Sequence, residues 1–410
     1  MDIKIHKSLI QSHQSRIKIT GSKSESNRLL LLRALYPNIN IDNISNSDDS
    51  TLMQEALCSI SEVIDIHHAG TAMRFLTAYF SIQDGRETIL TGSKRMKERP
   101  IAVLVEALQS LGADIAYLEN EGYPPLKING KQLTRNKVQL RADVSSQYIS
   151  ALLLIGSRLE NGIELTLNGK VTSVPYIKMT LRLLDEIDVE NTFIDNVITV
   201  NPKASKVESK TWVVESDWSS ASYFYSIVAM SPVGTSIELS SYKKESLQGD
   251  SVLAEIYRVF DVETTFVNNS IILNKIAQTD SKSSISLDLS NAPDIAQTIA
   301  VTAFGLGLEC NLSGLHTLKI KETDRLEALK TELTKLGAKI TVTDYSLSLL
   351  SSDKINSNIE IETYNDHRMA MAFAPLALRV PIIIKEANVV SKSYPDFWTD
   401  LKHLGFQLNN

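Results

Sequence analysis

Six stretches of the chain are apolar on nearly every side of a helical wheel: SNRLLLLRAL (26–35), GTAMRFLTAYF (70–80), SSQYISALLLIG (145–156), SSASYFYSIVAM (219–230), DIAQTIAVTAFGLG (294–307) and DHRMAMAFAPLAL (366–378). Each opens on small or polar residues. Helical spacing without a polar face predicts helices that lie inside the protein. Thr71, Ser145, Ser219, Asp294 and Asp366 hold one place in the pattern and stand 74, 74, 75 and 72 residues apart, which marks an internal repeat. A second, amphipathic series interleaves with the first: STLMQEALCSISEVIDI, RPIAVLVEALQSLGADIAYL, VPYIKMTLRLLDEIDVENTF, DSVLAEIYRVFDVETTF, TDRLEALKTELTKLGAKITV and YPDFWTDLKHLGFQL. Each passes from helical spacing into the alternation of a short strand.

A unit of about 74 residues therefore holds one buried helix, one amphipathic helix and several short strands, and six units nearly fill the chain. The fold class expected is α/β, with sheets surrounding buried helices and the units grouped three and three. The first unit is short. Arg28 and Arg74 share a helical position but stand only 46 residues apart, so a β-hairpin is expected to be missing between Asp49 and His67.

The 410 residues are 43% hydrophobic and 22% charged, with 17 Gly and 11 Pro, which excludes a disordered, collagenous or coiled-coil chain. Forty-two Lys and Arg against 48 Asp and Glu give a net charge of −6 and no general nucleic-acid footprint, so anion binding has to be local. No uninterrupted apolar run approaches the roughly 18 residues of a membrane span, and the N-terminus has no signal-peptide pattern. Cys58 and Cys310 stand in unrelated contexts, which argues against a disulfide framework. A soluble, cytoplasmic protein is expected. His68 and His367 lack metal-ligand spacing, so no catalytic metal and no cofactor are expected.

Charge collects at the helix starts. GSKSESNR brings Lys23 and Arg28, GTAMR brings Arg74, LTGSKRMKERP brings Arg99, KIKETDR brings Lys321, Glu322 and Arg325, NDHR brings Arg368, and SKSYPDF brings Lys392. Cations are unfavourable beside the positive end of a helix unless an anion joins them, so converging starts of this kind build a phosphate or carboxylate site. Plainer readings exist for single members. Ser145, Ser146 and Ser219 suit N-caps, as does Asp294, and Glu322 with Arg325 suits a surface pair three apart. GSKS lacks the upstream glycine of a P-loop.

Taken in order, GSKSESNR, HAGTAMR, LTGSKRMKERP, EGYPPL, SSQYISALL, SVPYIKMTL, VESDWSSASYF, QGD, APDIAQTIA, KIKETDRL, TYNDHRMAM and SYPDF resemble the 5-enolpyruvylshikimate-3-phosphate synthase family across essentially the whole chain. The resemblance implies a two-domain inside-out α/β barrel of six βαβαββ repeats, with helix N-termini directed at a cleft between the domains that closes on ligand. It implies a C-terminal domain of residues 1–21 plus 215–410 and an N-terminal domain of 22–214. The implied reaction moves the enolpyruvyl group of phosphoenolpyruvate to the 5-hydroxyl of shikimate 3-phosphate and releases phosphate. Lys23, Arg99, Arg325, Arg368 and Lys392 match the family's phosphoenolpyruvate residues, Gly70 shapes that pocket, and Gln147 lies between the two ligands. Ser24, Arg28, Ser145, Ser146, Gln147, Ser173, Tyr176, Asp294 and Lys321 match its shikimate 3-phosphate residues. Asp294, Glu322 and Lys23 are the expected catalytic groups, and a monomer is expected.

Glyphosate is the family's inhibitor, and Gly70→Ala is expected to weaken it more than phosphoenolpyruvate by filling the room beside Gly70. His68, Phe75 and Thr317 depart from the family's usual Asn, Pro and Asn. Two other readings remain at this level. One is the related transferase acting on UDP-N-acetylglucosamine, which usually carries a Cys in the loop that reads LTGSKRMKERP here. The other is a non-catalytic repeat assembly, which would spread its basic residues over one continuous surface.

Overall fold

The structure is a computed structural model that describes residues 1–10, 14–142, 145–169, 171, 173–203, 207–279 and 284–409. The chain divides into two compact units, Met1–Thr20 with Glu215–Asn410, and Gly21–Val214.

The buried series becomes α1 (Lys23–Leu35), α3 (Gly70–Ser81), α5 (Ser146–Gly156), α7 (Trp218–Met230), α9 (Ala296–Leu306) and α11 (His367–Phe373). Every residue of α3 and α11 is buried, and so is every residue of α7 except Ser219. In one unit α1, α3 and α5 touch one another, and in the other α7, α9 and α11 do. These triplets are the cores that the absence of a polar face demands. The amphipathic series supplies α2 (Asp48–Cys58), α4 (Ala102–Leu111), α6 (Val174–Asp185), α8 (Leu253–Ile256), α10 (Arg325–Lys335) and α12 (Phe397–His403). Its fourth member differs from the expected continuous helix: α8 is one turn of α-helix between the 3-10 turns Gly249–Val252 and Tyr257–Phe260. Leu253, Ile256, Tyr257 and Phe260 still turn to one side and are buried.

Among the described residues six sheets flank the helices. Five share one plan, in which the first strand runs parallel to the second, and the second and third both pair antiparallel with the fourth. In Gly21–Val214 these are β4 (Val63–Asp65), β5 (Glu87–Thr91), β6 (Asp114–Tyr117) and β7 (Leu126–Asn129), then β8 (Lys137–Arg141), β9 (Ile163–Asn168), β10 (Asn191–Ile194) and β11 (Val197–Val200). In the other unit β2 (Gln14–Ile17), β13 (Ser236–Ser240), β14 (Val262–Val267) and β15 (Ser270–Lys275) form one sheet, and β16 (Ser284–Asp288), β17 (Glu309–Ser313), β18 (Ile340–Val342) and β19 (Leu347–Leu349) another. The last sheet takes β20 (Ile359–Ile361), β21 (Ile382–Ile384) and β22 (Leu408–Asn409), and borrows its fourth strand, β1 (Ile3–Ile5), from the start of the chain.

The sixth sheet has only β3 (Ile39–Asp42) and β12 (Lys210–Val213), in parallel. Its hairpin is absent: α2 ends at Cys58 and β4 begins at Val63, as the short first repeat requires. First strands are also exchanged. β2 leads into α1 but pairs with β13, while β12 leads into α7 but pairs with β3. At the first crossing a Cβ on Gly21 would collide with the carbonyl oxygen of Asn43 and with Val214, so only glycine lets the chain pass that closely. Among the described residues no helix is long and apolar enough to cross a membrane.

Candidate active site

In Gly21–Val214 the starts of α1, α3, α5 and α6 are joined by side chains. Arg28, 2% exposed, donates from Nε to Thr180 Oγ1 (2.8 Å), from Nη1 to the Ser24 carbonyl (2.6 Å), and from Nη2 to Ser150 Oγ (2.9 Å) and the Tyr176 carbonyl (3.3 Å). Burial lowers its pKa to about 10, against the opposing influence of Tyr176 and Glu25, which leaves a charged guanidinium at neutral pH. Ser24, Arg28 and Tyr176 are thus one linked set. Phe75, where the family usually has Pro, lies with its ring centroid 5.5 Å from the Arg28 guanidinium carbon and walls that cation in.

At α3 the Gly70 carbonyl accepts from Arg74 Nη1 (3.1 Å), whose Nη2 donates to the Pro100 carbonyl (3.2 Å). Arg74, 4% exposed, therefore braces the Gly70 turn against the loop that carries Arg99. The room expected beside Gly70 is occupied: an added Cβ would stand 2.5 Å from Arg99 Nη1 and 3.0 Å from Nη2. Gln147 on α5 donates from Nε2 to Thr71 Oγ1 on α3 (3.2 Å). Ser145 is the N-cap of α5 and accepts from the Gln147 N–H, with Ser146 buried behind it. Ser173 precedes α6 in the left-handed region, φ +53°, a strained conformation of the kind that collects at functional sites. His68 lies with Nε2 3.2 Å from Asp48 Oδ2 on α2, and Lys23 is the first residue of α1.

In the other unit the starts of α9, α10 and α11 converge on Arg325, and the start of α7 joins them through Arg368. The Arg325 guanidinium, 2% exposed, pairs with Asp366 Oδ2 (2.7 Å), Asp294 Oδ1 (2.8 Å) and Glu322 Oε2 (2.8 Å). The Glu322 pair is present, but it is no surface pair. Asp294 lies in the 3-10 turn before α9 and also meets Lys321 Nζ (3.5 Å) and Arg368 Nη2 (3.3 Å). Burial alone would raise its pKa, but Arg368, Lys321 and Arg325 together hold the carboxyl well below the usual range. Burial lowers the Lys321 pKa, with Asp294 opposing. Arg368 Nη2 also reaches Ser219 Oγ (3.3 Å), which donates to Asp250. Ser219 is therefore no N-cap; Asp217 caps α7. Asp250 is 2% exposed, and burial followed by the Asp294 charge pushes its pKa up to about 7. Lys392 Nζ donates to the carbonyl and Oδ1 of Asn365 (2.7 Å each), next to Asp366.

Asp366 and Asp250 are the members whose roles the sequence did not disclose. Asp366 stands at the repeat position of Asp294, and Asp250 lies in the QGD motif, so both left a signal. Among the described residues no set of His, Cys, Asp and Glu is arranged to hold a metal ion.

Over its full length the structure matches EPSP synthase from Acinetobacter baumannii with a TM-score of 0.79 and 20% identity, covering 100% of this chain and 99% of that one. It matches the enolpyruvyl transferase NikO from Streptomyces tendae with a TM-score of 0.74 and 13% identity, covering 100% and 98%. The two-domain α/β fold is that of the enolpyruvyl transferases. A 3-phosphoshikimate 1-carboxyvinyltransferase of Bacteroides fragilis is 46% identical over 402 residues, 96% of each chain, and the profile of EPSP synthase (3-phosphoshikimate 1-carboxyvinyltransferase) matches residues 58–401. The chain belongs to the EPSP synthase family.

Proposed function

We infer that this protein transfers the enolpyruvyl group of phosphoenolpyruvate to the 5-hydroxyl of shikimate 3-phosphate, releasing phosphate, as a soluble cytoplasmic enzyme of the shikimate pathway. Family membership supports the reaction. The observation that carries the residue assignment is the Arg325 cluster, where four cations, Lys321, Arg325, Arg368 and Lys392, gather among Asp294, Glu322, Asn365 and Asp366. Such an array takes a phosphate and a carboxylate, the two anionic groups of phosphoenolpyruvate, with arginine forks giving bidentate contacts.

In this reading Lys23, Gly70, Arg99, Gln147, Arg325, Arg368 and Lys392 serve phosphoenolpyruvate. Ser24, Arg28, Ser145, Ser146, Gln147, Ser173, Tyr176, Asp294 and Lys321 serve shikimate 3-phosphate, with Arg28 acting through the Ser24 and Tyr176 backbone that it holds. The hydroxyl oxygen bonds to C2 of phosphoenolpyruvate while its proton leaves and another adds to C3. The adduct then loses phosphate and a C3 proton, restoring the double bond. Asp294, ionised by its three cations, takes the hydroxyl proton, and Glu322 exchanges the proton at C3. Substrate anions compete for the same cations, so binding itself raises the basicity of Asp294. Lys23 and Lys392 offset the charge of the departing phosphate.

The test is phosphate release from phosphoenolpyruvate with shikimate 3-phosphate, shikimate or UDP-N-acetylglucosamine as acceptor. Release is expected with shikimate 3-phosphate alone, and release with the nucleotide sugar instead would overturn the reading.

A further inference from the structure

Two turns beyond Arg325, α10 carries Glu332, a fully buried carboxylate. It accepts from Lys335 Nζ (2.8 Å), from the backbone N–H of Glu362 (3.1 Å) and from the Tyr364 hydroxyl (2.6 Å). Burying a carboxylate costs several kcal/mol before its partners offset it, and a hydrocarbon of similar size would often stabilise such a position as well. A hydrocarbon could not, however, fix a backbone amide and a phenol at once. Burial, and then the adjoining carboxylate, holds the phenol pKa well above its usual value, so Tyr364 remains a donor.

The segment held in this way turns sharply. Tyr364 and Asn365 follow one another in the left-handed region, with φ of +52° and +56°; asparagine enters that region readily, but a tyrosine there persists only where the surroundings impose it. The same segment ends in the groups that hold two cations of the site, Arg325 and Lys392, and cap the helix that carries a third, Arg368. Asn365 receives Lys392 through both its carbonyl and its side chain. Asp366 holds Arg325 and caps α11, accepting from the Arg368 N–H (2.9 Å). Arg325–Asp366 and Glu332–Tyr364 therefore tie α10 to one short segment at two points.

We propose that Glu332 and Tyr364 form a positioning clasp that, through the Tyr364–Asn365 turn, sets the directions of Arg325 and Lys392, and the start of the helix that carries Arg368, toward the phosphate and carboxylate of phosphoenolpyruvate. This rests on the function inferred above for the cluster but adds residues that meet no ligand.

Tyr364→Phe and Glu332→Gln in the full chain test it by steady-state kinetics, by calorimetric binding of phosphoenolpyruvate, and by thermal melting. Phe keeps the ring and loses the donor; Gln keeps an acceptor and loses the charge. Y364F is expected to raise the phosphoenolpyruvate KM about tenfold, the equivalent of one lost hydrogen bond to a charged group, with kcat within about twofold. The shikimate 3-phosphate KM should stay put, and E332Q should lie between Y364F and the parent. An unchanged affinity for phosphoenolpyruvate in Y364F overturns the clasp, whatever the melting temperature does. Calorimetry separates the two inferences: a parent protein that binds phosphoenolpyruvate without turnover refutes the reaction, yet still reports whether Y364F binds more weakly.

Discussion

A methyl group at residue 70 would stand against the guanidinium of Arg99, which would have to swing aside. Gly70→Ala therefore acts by displacing that arginine as well as through steric exclusion of an inhibitor. Glyphosate inhibition should weaken, and the KM for phosphoenolpyruvate should rise with it, by roughly tenfold or more. Inhibition and substrate constants measured in the same preparation check this, and an unchanged KM would show that Arg99 yields without loss. Asp250 gives a different signature. An unfolded aspartate titrates near 3.9, whereas this one titrates at about 7. The folded state thus binds the extra proton between those values, and its stability falls as pH rises through the window. Asp294 has the opposite sign, and its contribution is lost only as pH falls below the ordinary carboxylate range. Asp250→Asn removes the first slope, so its melting temperature relative to the parent should climb by about 3 °C or more from pH 5 to pH 8. A constant difference would mean that Asp250 does not titrate there. The motif residues were legible because charged groups at helix starts are anomalous. Glu332 was not, because Glu332 with Lys335 reads as any solvated pair three apart.

At the level of elements, the six buried helices were legible from periodicity, since a helix without a polar face has one place to be. The fourth amphipathic segment was not. Its apolar residues at 253, 256, 257 and 260 fit a helix as well as they fit the tighter turns that form. Caps matter most where a helix start carries chemistry. Asp324 caps α10 by accepting from the N–H groups of Leu326 and Glu327 (3.2 Å each), and the residue between cap and partners is Arg325. Asp324→Ala should lower stability by about 1 kcal/mol. It should also raise the phosphoenolpyruvate KM, because the fraying turn carries the arginine, whereas the same truncation at Ser47, which caps α2 by accepting from the Ser50 N–H, should cost stability with less effect on KM. Paired denaturation and kinetic measurements on the two variants distinguish a cap that serves the site from one that serves the helix.

For the whole molecule, the exchange of β2 and β12 was beyond reach of pattern reading. Each leads into a buried helix, and short-range alternation says nothing about which sheet a strand joins. The exchange makes the two units unequal. Gly21–Val214 is one continuous piece, while its counterpart needs Met1–Thr20, which places Ile3, Ile5, Ile17 and Ile19 in its core. At about 1.5–3 kcal/mol for each buried isoleucine, these four match the whole stability of an ordinary domain. A fragment of residues 21–214 is expected to melt cooperatively on its own, and a chain lacking residues 1–20 to lose the transition of the other unit; a deletion mutant with both transitions intact would refute this division.

The pairing of β1 with β22 also dictates an order of events at the ribosome. The first strand to be made waits for the last, and at 5–20 residues per second that wait is roughly 20–80 s. Ile17 and Ile19 can be covered once β13 has been made, but Ile3 and Ile5 on β1 wait for β21 and β22, while the continuous unit is free to close. Synthesis therefore lets Gly21–Val214 fold before the sheet that joins β1 to β21 and β22, and β1, unpaired until then, is a segment that a nascent-chain chaperone or a protease can meet.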